Sequence, residues 1–166
     1  MRRWYPDVAR AGSANDADLV KAIAATDYYA EQYNEAKEDL NFSRRMEYMS
    51  SRLPGLTEHR FAQLQDMEGI IEHLEDREKR AVADKMRYYL EHYQRTVTDR
   101  TAREYAAASD EAHNIRMVIR EVAAVRNLYL GIMKSFEYMH FQITNLTKLK
   151  CAGLEDAEIS LPRDHH

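Results

Sequence analysis

Between residues 115 and 146 apolar side chains recur in alternating steps of three and four. They are Ile115, Val118, Val122, Val125, Tyr129, Ile132, Phe136, Met139, Ile143 and Leu146. A period of 3.5 residues keeps one stripe facing a partner as helices supercoil. The pattern therefore predicts a long helix built to lie along other helices. Ile119, Ala123, Leu130, Met133 and Phe141 widen the stripe beyond a two-stranded seam, so this helix is expected to touch more than one neighbour. It should end at Gly153, a residue suited to the C′ position, with Lys148 and Lys150 against the negative end of the helix dipole.

Two further helices are expected ahead of it. The first runs over 16–52, with N-cap candidates Ser13, Asn15 and Asp16 and the stripe Leu19, Ile23, Ala30, Tyr33, Leu40. The stripe restarts as Phe42, Met46, Met49, Leu53, which predicts a bend near Asn41. Leu53-Pro54-Gly55-Leu56 reads as the clearest breaker, followed by Thr57 as N-cap. The second helix then spans 58–97, with Leu64, Met67, Ile71 and Leu74 giving way to Val82, Met86, Tyr89 and Tyr93. Thr101 and Glu104 have capping-box spacing, so the third helix is set at 101–152. Residues 1–15 read as an irregular arm, 16–152 as one helical domain, and 153–166 as an acidic tail. The expected fold is all-α: three long helices in an elongated hairpin or coiled-coil arrangement that oligomerises, with the 115–146 seam building the assembly.

Composition agrees with this picture. Five Gly and three Pro punctuate 166 residues, and the prolines are expected outside the helices. A single cysteine, Cys151, excludes an intramolecular disulfide, and a reducing cytoplasm is its simplest home. No apolar stretch is long enough to span a membrane. The net charge of −4 hides a polarity: the first helix is rich in acids and residues 112–150 in bases. Those arms can pair with each other, or the basic one can meet an anion. Beside the seam, Arg116 and Arg120 suit either salt bridges to the acidic helix or nucleic-acid contact.

Catalytic chemistry is hard to place on this chain. Glu137 and His140 form the Glu-x-x-His half-site of di-iron bundles. No second copy lies in a helix interior, and Phe136 and Met139 hold the seam positions beside it. There is no zinc-ligand pattern, Gly-rich phosphate loop or nucleophile elbow. No histidine stands near Cys151 to activate it. The expectation is a non-enzymatic protein with no metal and no cofactor. Tyrosine, by contrast, is over-used, at 11 of 166. Tyr88 and Tyr89 lie among Lys85, Arg87, His92 and Arg95, an interleaving that suits bases stacking on rings while cations track phosphates. The alternative is a set of tyrosines wetting their hydroxyls at a core edge.

A basic residue ahead of a Tyr-Tyr pair, a polar connection, then a long heptad helix closing with Tyr138-Met-His-Phe-Gln-Ile-Thr-Asn-Leu-Thr-Lys148 resembles the UvsY-type recombination mediators of tailed phages. The resemblance covers roughly residues 80–152. It implies a helical, ring-like homo-oligomer that binds single-stranded DNA and helps load a RecA-like recombinase in place of a single-strand-binding protein, in the cytoplasm of an infected bacterium. The family's basic segment falls on Lys85, with Arg87 nearby. Its second basic position is Ala83 here, and its C-terminal Arg is Tyr138 or Met139. The strand contact is accordingly expected at Lys85, Arg87, Tyr88 and Tyr89, extended by Arg77, Lys79 and Arg80. The alternative function is a helical scaffold or adaptor with a protein partner, such as a phage assembly or anti-defence factor.

Overall fold

Five α-helices, rather than three, organise the described residues: α1 Tyr5–Ala11, α2 Ala17–Glu38, α3 Met46–His92, α4 Asp99–Ala107 and α5 Asp110–Cys151. The computed structural model describes residues 2–40, 46–92 and 97–153, without the side chains of Met46 and Glu47, and no strand occurs among these residues. The bend expected near Asn41, the stripe position Phe42, Tyr93 and the tail beyond Gly153 lie outside them. Within the described residues no helix is long and apolar enough to cross a membrane.

The 115–146 seam is buried inside the chain. Ile115, Val118, Val122 and Tyr129 join Leu19, Ala22, Tyr29, Leu64, Met67, Ile70 and Leu74 in one core cluster. Ile132, Phe136, Met139 and Ile143 join Ala36, Met49 and Leu53 in a second. Val125 packs at the edge of the first, and Leu146 is half-buried. The long helix thus has two neighbours, as its broad stripe predicts, but both are its own chain's α2 and α3. This corrects the expectation that the seam builds an oligomer: side chains already removed from water have no further apolar area to bury against another copy.

The expected breaker does not break. Pro54 and Gly55 lie inside α3. Leu53 is buried and Leu56 packs against the same cluster, so both sides of the proline are anchored by tertiary contacts that outweigh its local cost. Thr57 is interior too, its hydroxyl donating to the Leu53 carbonyl at 2.8 Å. The third expected helix is split instead at Ala108–Ser109. Thr98 caps α4 by accepting the Thr101 N–H, and Ser109 caps α5 by accepting the Ala112 N–H. Thr101 is therefore not the cap, and Glu104 pairs with Arg100. Arg116 fastens the corner, donating to Glu78 at 2.8 Å and to the Ala107 carbonyl at 2.9 Å.

Buried polar pairs set the register. Asp39 accepts from Arg60, Asp66 from Tyr29, and Asp18 from Arg77, so α2 descends while α3 climbs. On the other side Glu78 pairs with Arg116 and Glu68 with Arg126, which makes α5 antiparallel to α3 as well. Among the described residues the ion pairs of the acidic first helix therefore go to α3, and Arg116 and Arg126 of the basic α5 likewise take acids of α3. A one-turn slip of α2 would leave several buried charges without partners.

The N-terminal arm is ordered by the same device. Asp66 of α3 accepts the Trp4 N–H at 2.7 Å and the Tyr5 N–H at 3.0 Å, capping α1 from another helix. Gly69 makes room for this approach, because a Cβ there would stand 3.1 Å from the Tyr5 ring. Asn15 and Asp16 take left-handed backbone angles between α1 and α2, which these side chains tolerate, and Asp16 turns its carboxylate to Arg77 rather than capping α2.

Two core tyrosines give the fold an alkaline limit. Burial and the Asp66 hydrogen bond push the Tyr29 phenol well above its ordinary range, and burial pushes Tyr129 up to about 12. The folded state holds these protons more tightly than the unfolded chain, whose tyrosines ionise near pH ~10. The stability they contribute is full below that pH and is lost as pH rises through the folded values. In an ultraviolet phenolate titration, Tyr29 and Tyr129 are expected to ionise last and together with loss of helicity. Complete tyrosine ionisation near pH ~10 in a still-helical protein would contradict this.

Candidate nucleic-acid interface

The seven expected strand contacts lie on α3, but the helix distributes them over different faces. Arg77 is buried and cannot reach a ligand: its guanidinium joins α3 to Asp18 of α2 and to Asp16 just before that helix, with His73 also 3.5 Å from Asp18. It is a register pin, and the expectation that it contacts DNA is withdrawn. Lys85 is half-buried and shares a pocket of about 620 Å³ with Tyr89, Tyr105, Ser109, Asp110 and Glu111. Carboxylates at that mouth oppose a phosphate. Tyr89 turns its ring edge to Tyr105 at 6.0 Å, which serves the α3–α4 contact.

The remaining four residues are exposed. Lys79 pairs with Asp76 at 2.9 Å, which holds the ammonium above and the carboxyl below their usual ranges. Arg80 donates to the Asp76 carbonyl at 3.3 Å and is otherwise open to solvent. Arg87 is exposed and has no ion-pair partner among the described residues. Tyr88 is 56% exposed, and its ring stacks on His92 at 5.1 Å with an interplanar angle of 12°. Arg80 and Arg87 stand two turns apart, about 10 Å along the helix, with Tyr88 beside the second. The structure thus assembles a smaller group: Arg80, Arg87, Tyr88 and His92, with Lys79 at its margin. His92 completes the aromatic platform, and its signal in the sequence is the one-turn spacing from Tyr88. Tyr105 has no such signal, because its contact with Tyr89 depends on how α4 folds back.

A second surface lies at the other end of α3. Leu53, Pro54 and Phe61 of α3 face Phe136, Phe141 and Ile143 of α5 across an open groove of about 900 Å³. Glu58, Glu137, His140 and Lys148 stand among the lining residues. Glu137 and His140 thus sit beside the seam, as their spacing predicts. No group of three or more His, Cys, Asp or Glu side chains that could hold a metal ion occurs among the described residues. Phe61 escapes sequence reasoning because it lies off the Leu64–Met67 stripe; a large apolar side chain in that position is the available signal.

Comparison with protein-family models, with curated proteins and with solved structures finds no significant match to this chain.

Proposed function

We propose that this chain is a non-enzymatic single-stranded-DNA-binding accessory protein of recombination or replication, contacting the strand with the outer face of α3 near its C-terminal end. The observation that carries the reading is Tyr88, an exposed ring stacked on His92 beside Arg87, which is exposed and has no ion-pair partner among the described residues. An exposed aromatic stack offers bases a π-face, and Arg80 and Arg87 supply cations for phosphates. The resemblance to UvsY-type mediators extends this reading to loading a RecA-like recombinase.

Anisotropy of a labelled oligothymidine at low salt tests it. Tyr88→Ala is expected to weaken binding by about 1–3 kcal/mol, the value of one stacked base. Arg80→Glu with Arg87→Glu should weaken it further and flatten its salt dependence. Lys85→Ala should have little effect. Absence of binding by the native chain, or binding indifferent to these variants, would end the reading.

The groove favours a second reading, a helical adaptor that works through protein contacts, because exposed Phe61 and Phe141 both line it and give it an apolar surface of the kind partners cover. Loss of function on Phe141→Asp with both oligonucleotide binding and oligomeric state intact would favour it.

A further inference from the structure

We infer that the groove between α3 and α5 seats a second copy of this chain, related by a two-fold axis crossing α5 between Gln142 and Ile143. Two apolar rings define the surface: Phe61 is 49% exposed and Phe141 64%, both among the groove's lining residues. The α2 side of the α3–α5 pair is already filled, since Tyr29 and Ala36 of α2 pack into the cores there. The groove face has no such cover among the described residues.

Charge selects the occupant. Glu137, Phe141, Thr144 and Lys148 follow at steps of four, three and four, so they share one stripe of α5. Glu137 and Lys148 stand about 16 Å apart along it, and neither has an ion-pair partner among the described residues. The register that pairs Glu68 with Arg126 sets Glu58 level with Glu137. One end of the groove is therefore acidic and the other basic.

An antiparallel two-fold pairing lays Glu137 on the partner's Lys148 at both ends. It also brings the two Phe141 rings within about 4.5 Å along the helix axis. A parallel pairing would set Glu137 against Glu137 and Lys148 against Lys148. The acidic tail, with Glu155, Asp156 and Glu158, complements the basic end alone, whereas a second copy complements both ends. This inference does not depend on the DNA reading, whose residues lie at the opposite end of α3.

Sedimentation equilibrium of the full chain across a concentration range tests the pairing. The native chain is expected at twice its 19.5 kDa mass. Phe141→Asp should give a monomer of unchanged helicity, as an exposed position permits. Glu137→Lys and Lys148→Glu, singly, should each weaken association about tenfold or more by opposing like charges. The two together should restore it to within a few-fold, a result that a merely sticky surface would not produce. A monomeric native chain overturns the inference. In that event, a lower melting temperature on removal of 154–166 would identify the tail as occupant, and no change would leave the groove to a different protein. A dimer indifferent to Phe141→Asp, or a charge swap as weak as its single parents, overturns it equally.

Discussion

Replacing Asp66 with alanine is expected to lower the unfolding free energy by about 3–5 kcal/mol and to detach the N-terminal arm. The carboxylate is fully buried on α3 and serves four donors: the Arg3 guanidinium at 3.4 Å, the Trp4 N–H, the Tyr5 N–H and the Tyr29 hydroxyl at 2.6 Å. Removing it strands polar groups that water cannot reach, each at about 1–3 kcal/mol. Relaxation of the exposed arm returns part of that cost. Asp66→Asn keeps one acceptor oxygen and should cost less. Trp4 is the chain's one tryptophan and is itself buried, so its emission reports the arm directly. Urea unfolding followed by helicity, with Trp4 emission alongside, measures both effects. A stability change under about 1 kcal/mol with unaltered Trp4 emission would show that Asp66 does not hold the arm.

The second large effect belongs to Arg77. Arg77→Ala should destabilise the protein by about 3–5 kcal/mol, because Asp18 would remain buried without its guanidinium. Oligonucleotide affinity per folded molecule should not change. Replacing both partners by apolar residues, Asp18→Leu with Arg77→Met, should recover much of the loss, since desolvation of the pair offsets much of its attraction. Denaturant midpoints and anisotropy on the same preparations separate the two roles. An affinity loss without a stability loss would return Arg77 to the strand-binding group.

Arg77 also shows why the candidate site was only partly legible. In the sequence it stands in the charged run Glu75-Asp76-Arg77-Glu78-Lys79-Arg80, where six adjacent polar residues read as a solvated face. On a helix that run wraps the whole circumference. Asp76, Lys79 and Arg80 face water, Glu78 faces Arg116 of α5, and Arg77 faces α2. Composition cannot separate these, because the division depends on where neighbouring helices lie. Tyr88 and Tyr89 divide in the same way: consecutive residues point about 100° apart, so one ring is left to solvent and the other meets Tyr105.

Periodicity carries the helical class and the long α5 helix, and Gly153, whose φ of +81° suits glycine, marks the C′ position just past its end at Cys151. These are local consequences of 3.6-residue geometry and backbone sterics. Which faces meet, and whether Pro54 ends a helix, depend on contacts between residues far apart in the chain. Leu53 and Leu56, held against α5, carry the helix through the proline, while the Ser109 hydroxyl caps a new helix and so divides the expected third one. The seam is the sharpest instance. Its period fixes a stripe that must be buried, and its breadth calls for more than one neighbour. Whether those neighbours come from the same chain or another depends on where α2 and α3 pack, and the ion pairs Asp18–Arg77, Asp39–Arg60 and Glu78–Arg116 place them there.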